Sequence, residues 1–499
     1  MMRTFVADRS GGLVGLGRMR GRWRPGLLAS TLWLGSLCVC ASADPGAQRR
    51  GDGGGPSTAD PVDAQVHDGG SAELGPAREV GTEGAGDGPS VSTSCRETAC
   101  AFPGAEGFGT ETGGGRGGPV LVVTTLAGAG PGSIRAAMLT AGPRIVVFAV
   151  SGVIDLAGAD IALLEQHSRL TVLGQSSPGG ITLVNGGISS YHAGLHDVIL
   201  RFLRVRGGTN ADNISIAGVR NLVIDHCDFS GATDEAFDVT FAQDFTVQWS
   251  TVTNSVRGMG SQNYGSLIAY RPTTNISLHH NLSAHHAGRC GAQFHWAGDG
   301  PAPPDGAAID LRNNVFYNCG FQQIYRADMP PPAGNRWNLV GNFAIAGPNT
   351  PPSSMIFGLS GRIFLDDNQY PGHQVLSPYF AGTMLDQPHA FPWVTTTPST
   401  EAREQVLARA GSWPRDAMNL RTVAEVRAGA GGLGKHDDPL AASGPPPPQD
   451  ADLDGIADDW EAAHGLDPDD RLDSAKLHGS GYAFIEVYLN ELAERTVGR

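Results

Sequence analysis

Six apolar residues, Leu200, Ile224, Val247, Leu278, Leu311 and Leu339, recur through the middle of this 499-residue chain at intervals of about one coil of a stacked-coil fold. Each sits inside a short strand-like run: "VILRFLRV", "LVIDHCDF", "FTVQWSTV", "ISLHHNLS", "IDLRNNVFY" and "WNLVGNFA". The runs alternate or are wholly apolar over a few residues, and Gly, Asn and Asp separate them, as strands buried on one or both faces require. A single such unit cannot bury its own apolar face, whereas stacked copies can. The pattern therefore predicts an all-β parallel β-helix, with helical stretches at 402–410 and 422–428 that pack back onto it and with the longer gaps at 253–275 and 288–307 as loops walling a groove.

Adjacent coils of such a fold lie about 4.8 Å apart, so residues at matching places stand side by side. Counting on ten to twelve residues from successive centres gives Asp212, Asp234, Arg257 and Arg289, with Asp238 one turn beyond Asp234. Carboxylates that close can share one hard cation through oxygen ligands. Arginines stacked beside a calcium site suit a polyanion. The plainer alternatives are aspartates that only cap turn N–H groups and arginines in surface ion pairs. Against a general nucleic-acid or anionic-membrane partner stands the net charge of −15, from 35 Lys and Arg against 50 Asp and Glu. An acidic polymer would have to be held locally, by a cation and clustered arginine. Much of the negative charge lies outside the repeats, in 44–94 and 450–473.

The chain opens with an export pattern. Arg18, Arg20, Arg22 and Arg24 precede an apolar run from Leu27 to Cys40, and Ala41-Ser42-Ala43 offers a small-x-small cleavage site. The run falls short of the roughly 20 residues a membrane span needs. A secreted protein is expected, with a lipid anchor through Cys40 as the alternative. Residues 44–94 are rich in Gly, Asp, Pro, Ser and Ala and read as a disordered linker. The expected organisation is a signal over 1–43, this linker, the β-helix over 95–432, a proline-rich linker over 433–449 and a calcium-loop module over 450–499. Cys95 with Cys100, and Cys290 with Cys319, are candidate disulfides in an oxidising compartment; Cys227 lies in a strand and reads as an inert core thiol.

The stretch "FPGAEGFGTETGGGRGGPVLVVTTLAGAGPGSIRAAM" from Phe102 resembles the opening of the pectate lyase family of secreted polysaccharide lyases. So do "RIVVFAVSGVIDL", "VILRFLRVRGG", "VIDHCDFSGATDEAFDV", "ISLHHNLSAHHAGR" and "EAREQVLARAGSWPRDAMNLRTVAEVRAGAG". The likeness spans about 102–432 and implies a right-handed parallel β-helix that cleaves polygalacturonate-type chains by calcium-assisted β-elimination. It implies Asp212, Asp234 and Asp238 as calcium ligands, Arg289 as the catalytic arginine and Arg257 near the position of a substrate-gripping lysine. Similar sequences carry a second arginine shortly after the first. Here the run is Arg289-Cys290-Gly291-Ala292-Gln293, without one.

Elimination from a uronate removes a weakly acidic proton α to a carboxylate and expels the glycosidic oxygen. Charge flows onto the carboxylate, so a Lewis acid and donors aimed at the developing enolate are the chemistry required. Guanidinium is a poor base at neutral pH, which predicts an alkaline optimum. Two rivals remain. One is a β-helix that binds acidic glycan without turnover, suggested by the missing second arginine. The other is a glycoside hydrolase, for which the tandem Asp366-Asp367 is the one candidate carboxylate pair. The expected partner is an acidic polysaccharide, met by the chain as a monomer.

The segment "DADLDGIADDWE" has its own signal. Asp450, Asp452, Asp454, the backbone of Ile456, Asp458 and Glu461 fall at positions 1, 3, 5, 7, 9 and 12 of a calcium loop, with Gly455 at 6. A tetraproline run precedes it in place of an entering helix. It resembles a dockerin or thrombospondin type 3 loop, and a single calcium is expected there.

Overall fold

The computed structural model describes residues 99–191, 194–207, 212–256, 263–296, 303–328, 334–380, 382–434, 438, 440 and 444–498. The expected signal and linker, Cys40, Cys95 and Arg257 lie outside the described residues.

The six apolar centres stack on one another. Leu200 is in parallel register with Ile224, and the column continues through Val247, Leu278, Leu311 and Leu339. It extends to Val146 and Val172 at one end and to Leu365 at the other, so the β-helix has about nine coils. Side chains in the column from Val146 to Leu339 are buried. Removing one such Leu down to Ala costs about 2–5 kcal/mol, because the coils above and below cannot close the gap.

The strands fall into parallel sheets of eleven, eight and nine, here called first, second and third. The chain visits them in rotation, as in Arg220–Asp225, Asp228–Ser230 and Glu235–Thr240. The corner between first and second sheet is made by one residue in the left-handed region: Phe202, His226, Trp249 and His280 have φ of 56°, 49°, 49° and 55°. Repetition at one coil per rung stacks their rings, with centroids 4.9, 6.1 and 4.3 Å apart. Beside them Asn281, Asn314, Asn342 and Asn368 form an amide ladder, each Nδ2 donating to the next Oδ1 at 3.1, 3.0 and 2.8 Å.

What covers the outer faces decides where a ligand can reach. Phe102 and Ala101 pack on Ile199 and Val223, outside the first sheet. The C-terminal segment also packs there, burying Ile456, Trp460, Ile485 and Leu489 against Ile145, Val147 and Leu173. This is why "RIVVF" is apolar without alternation: both its faces are covered. A short helix, α1 (Ile134–Met138), precedes "RIVVF". The second sheet is covered by α2 (Ser399–Arg409) and α3 (Ala417–Ala428), close to the helical stretches read from sequence. The third sheet presents outward the row Ser215, Asp238, Leu267, Gln293, Arg326, each half-buried, as the face open to a ligand among the described residues.

Arg201, Arg204 and Arg206 alternate in the sequence like residues of one strand face, but the chain turns at Phe202 between two strands. All three are buried. Arg201 pairs with Asp225 at 2.8 Å, while Arg206 pairs with Asp228 at 2.6 Å and with Asp416 at 2.8 Å. Asp416 also caps α3 by accepting from Asn419 N at 2.9 Å. Arg204 and Arg206 therefore anchor the head of α3 to the second sheet. The expectation that the gaps at 253–275 and 288–307 are loops is corrected, since Tyr264–Ala269 and Ala292–His295 are strands of the third sheet.

Candidate active site

Asp212 stands just ahead of the strand Ile214–Ala217, and Asp234 just ahead of Glu235–Thr240. Register places Asp212 opposite Glu235, whose backbone N–H donates to Asp212 Oδ1 at 3.1 Å. Carboxylate oxygens of Asp212, Asp234 and Glu235 come within 4.8 Å of one another. Asp238 lies one pleat further, paired with Ser215, whose Oγ donates to Asp238 Oδ2 at 3.4 Å. The sequence column thus brings Asp212 and Asp234 together with Asp238 as their neighbour. It missed Glu235, visible in sequence only as the second letter of "DEAFDV".

The cluster is short of positive charge for its acids. Burial, then the charge of Asp234, pushes Asp212 up to about 7; burial, then Asp212 and Asp234, pushes Asp238 up to about 7. Asp234 is also raised by burial, with Arg289 pulling the other way. Oδ1 of Asp234 and Oδ1 of Asp238 are buried without a hydrogen-bond partner among the described residues. Oxygen-only donors, converging charge and orphaned buried oxygens together fit a hard divalent cation such as calcium.

Arg289 reaches this cluster from the next coils. Tyr264 bridges Gly288, yet Leu267 pairs with Gln293, so two extra residues bulge out between them. Arg289 sits in that bulge at φ 52°. The bulge can approach so closely because its neighbour is glycine: a Cβ on Gly265 would lie 2.4 Å from the Arg289 carbonyl oxygen. Behind it, Cys290 is disulfide-bonded to Cys319, as the cysteine positions allowed. The Arg289 guanidinium forms an ion pair with Glu235, donates from Nε to Gln293 Oε1 at 2.8 Å and lies 4.3 Å from the Tyr264 ring centroid.

One coil beyond Gln293, in register with it, stands Arg326. Arg289, Gln293 and Arg326 line one pocket of about 430 Å³ with Tyr264, Phe321 and Gln323. A second guanidinium is therefore present, supplied by the following coil in place of the same loop. Sequence inspection near Arg289 could not find it, because the two positions are 37 residues apart in the chain and adjacent only through coil stacking.

No family model matches the chain. Over 423 residues it is 34% identical to the probable pectate lyase C of Aspergillus fumigatus, covering 79% of this chain and 94% of that protein. The counterpart from Aspergillus terreus is 33% identical over 426 residues, at the same coverage. The chain belongs to the pectate lyase family. Among solved structures, a pectate lyase studied for substrate specificity and its anti β-elimination mechanism aligns with TM-score 0.45 and 13% identity, covering 63% of this chain and 98% of that one. A Bacillus pectate lyase in complex with trigalacturonate aligns at 0.39 and 17%, covering 62% and 99%.

The other buried titratable groups of this pectate lyase family chain sort by burial and partners, together with Asp367 and Cys227. His286 is buried, hydrogen-bonds the Val252 carbonyl at 2.8 Å and is pushed down to about 4 by burial. His279 is buried and likewise lowered, and His285 meets Glu425 at 3.1 Å beneath α3. These are packing histidines. Asp367 accepts from Ser399 N at 2.6 Å and Oγ at 3.0 Å, which commits it to the start of α2 and removes the tandem Asp366-Asp367 as a hydrolase pair. Cys227 is a buried free thiol, pushed up to about 12 by burial.

In the C-terminal segment Asp450, Asp452 and Asp454 converge within 4.8 Å, and Asp454 converges again with Glu461 and Asp473. Asp454 N donates to Asp450 Oδ1 at 3.1 Å, and Ile456 N donates to Asp454 Oδ1 at 2.9 Å. Asp458 accepts from Ala451 N at 2.8 Å, across the mouth of the loop. α4 (Asp458–His464) begins at the ninth position of the loop, and no helix leads into it among the described residues.

Proposed function

We propose that this chain is an exported, calcium-dependent pectate lyase that cleaves polygalacturonate-type acidic polysaccharide by β-elimination. The observation that carries the reading is the open third-sheet face, where Asp212, Asp234, Glu235 and Asp238 lie beside Arg289 and Arg326. Asp212, Asp234 and Asp238 would hold calcium, with Glu235 at their edge. Calcium, when bound, supplies a Lewis acid for the substrate carboxylate. Arg289, in its neutral form, takes the proton α to that carboxylate; the bond to the glycosidic oxygen breaks, that oxygen leaves with the electron pair and takes a proton from water, and a carbon–carbon double bond forms in the sugar left at the new non-reducing end. Arg326 meets a further carboxylate of the chain with charge-assisted hydrogen bonds. Arg257 remains a proposed substrate contact from its place in the sequence. Export through the 1–43 signal, and calcium in the loop from Asp450 to Glu461, belong to the same reading; no helix of the described residues is long and apolar enough to cross a membrane.

The test is ultraviolet absorbance of unsaturated uronate on de-esterified polygalacturonate at alkaline pH, with calcium and then with chelator. A rise only with calcium is expected. Retention on a pectate gel with no rise would instead favour the glycan-binding alternative.

Glu235 imposes a constraint on the base. A carboxylate against the guanidinium favours its charged form, whereas proton abstraction needs the neutral one. In Glu235→Gln the rising limb of the pH–rate profile should move toward lower pH by about one unit, the size of one favourable ion-pair interaction. The calcium concentration for half-maximal rate should rise several-fold, because an acidic group leaves the cluster. An unmoved limb would separate Glu235 from the base.

Arg326→Ala should raise KM for polygalacturonate about ten-fold, the order of one charge-assisted contact, and leave kcat within about two-fold. A fall in kcat at unchanged KM would place Arg326 in the chemical step.

A further inference from the structure

The C-terminal segment holds a feature that the twelve-residue loop does not account for. Asp473 lies outside the loop, yet its carboxylate converges with Asp454 and Glu461 within 4.8 Å. All three residues are buried, at 1%, 0% and 2% exposure for Asp454, Glu461 and Asp473. Both carboxylate oxygens of Glu461, Oδ2 of Asp454 and Oδ1 of Asp473 have no hydrogen-bond partner among the described residues. Three acids sealed from water with orphaned oxygens aimed at one another are not a stable arrangement by themselves. Oxygen donors alone, from two separate segments, suit calcium.

The positions of these acids say what the cation would do. The loop glycine, Gly455 at φ 95°, lies flat against the first sheet: a Cβ there would meet Val147 Cγ2 at 2.7 Å. Ile456 and Trp460, on the loop side, and Ile485 and Leu489, on α5 (Phe484–Val497), enter one apolar cluster with Ile145, Val147 and Leu173 of the early coils. Asp473 is joined to α5 through its neighbour, Ser474, whose carbonyl accepts from Ile485 N at 3.0 Å. Two residues of α5 then grip the β-helix. Glu486 takes Arg116 in a bidentate pair, at 2.8 and 2.9 Å, and Asn490 Oδ1 accepts from Arg201 at 2.6 Å. Loop, α5 and the first coils thus meet around one buried acidic centre.

We propose that Asp473 completes a calcium site with Asp454 and Glu461, and that this ion clasps the C-terminal segment onto the early coils, so that calcium stabilises the β-helix at a place separate from the groove. The proposal rests on the calcium-loop reading and extends it. The ion ties the loop to α5, and α5 closes the outer face that the apolar run "RIVVF" would otherwise expose.

The test uses the full chain carrying Asp212→Asn to weaken the groove site, with calcium or magnesium chloride added and Tm followed by near-ultraviolet circular dichroism. Calcium should raise Tm and protect α5 amides from hydrogen exchange. Adding Asp473→Asn should remove both effects and lower calcium affinity at this site at least ten-fold. In the otherwise native chain, Asp473→Asn should leave the calcium dependence of the initial lyase rate unchanged. Adding Asp452→Asn instead tests the loop alone. If it abolishes calcium binding at the segment while Asp473→Asn keeps the full Tm rise, the loop reading stands and the clasp is wrong. If calcium neither binds the segment nor shifts Tm in the Asp212→Asn chain, both are wrong. Should Asp473→Asn fail to fold, Asp473→Ser, which also removes the charge outside the loop and leaves every loop acid in place, supplies the same comparison.

Discussion

Arg289→Ala is expected to lower the formation of unsaturated uronate by about 10²–10⁴-fold, the usual contribution of a positioned general base. The loss should be in kcat, with polygalacturonate still retained on a pectate gel through Arg326 and the calcium cluster. The fold should survive. The backbone tie of the bulge to the sheet is kept, because the Arg289 carbonyl accepts from Ser266 N at 2.8 Å whatever the side chain, and that side chain is 24% exposed. The substitution also removes the positive charge beside Asp234 and Glu235, so calcium affinity should hold or increase. That sign is the useful one. A mere structural disruption would weaken calcium binding together with turnover, whereas loss of the base alone separates them. Normal turnover in this variant would remove Arg289 from the reaction and turn attention to the groove's other groups.

Asp212→Asn should raise the calcium concentration needed for half-maximal lyase rate by at least ten-fold. Asparagine keeps the oxygen that accepts the Glu235 N–H at 3.1 Å, so the turn is preserved and the charge alone is lost. The pH dependence follows from the same cluster. Asp212 and Asp238 are both pushed up to about 7 in the cation-free protein. Calcium needs them ionised, so protons compete with it below pH 7 and the native chain's affinity should climb from pH 5 to 8 and then level off. Raised carboxylate values also mean that ionising these groups works against the fold. Without calcium, stability contributed by their protonated forms is present near pH 4 and is lost as pH rises through about 7. Terbium luminescence or calorimetry at pH 6 and 8 measures the first effect, and thermal melts with chelator measure the second. An affinity flat across that range would mean that the aspartates are not the ligands.

Much of this could be read along the chain because coil stacking converts sequence period into neighbourhood. The column through Leu200, Ile224, Val247, Leu278, Leu311 and Leu339 is in the register that the spacing implied. The asparagine ladder, the buried Cys227 and the Cys290–Cys319 bridge follow from the same periodicity. The acidic column was legible for the same reason, one residue out of phase at Asp234. Period carries no information about what covers a face. Arg204 and Arg206 alternate like surface residues, and it is the distant Asp416 at the head of α3 that makes them buried ion partners.

Local spacing along the chain is enough to specify the β-helix, its inward column, the acids and the arginine of one outer face, and the regular spacing of the acids from Asp450 to Glu461. Coil stacking and the docking of the terminal segment settle the rest: which face stays open, that Glu235 holds Arg289, that Arg326 supplies the second guanidinium and that Asp473 joins Asp454 and Glu461. Those are contacts between coils or between a coil and a terminal segment, made by burial of apolar surface whose partner lies tens to hundreds of residues away. No local pattern records that partner, because the energy that selects it comes from removing both faces from water together.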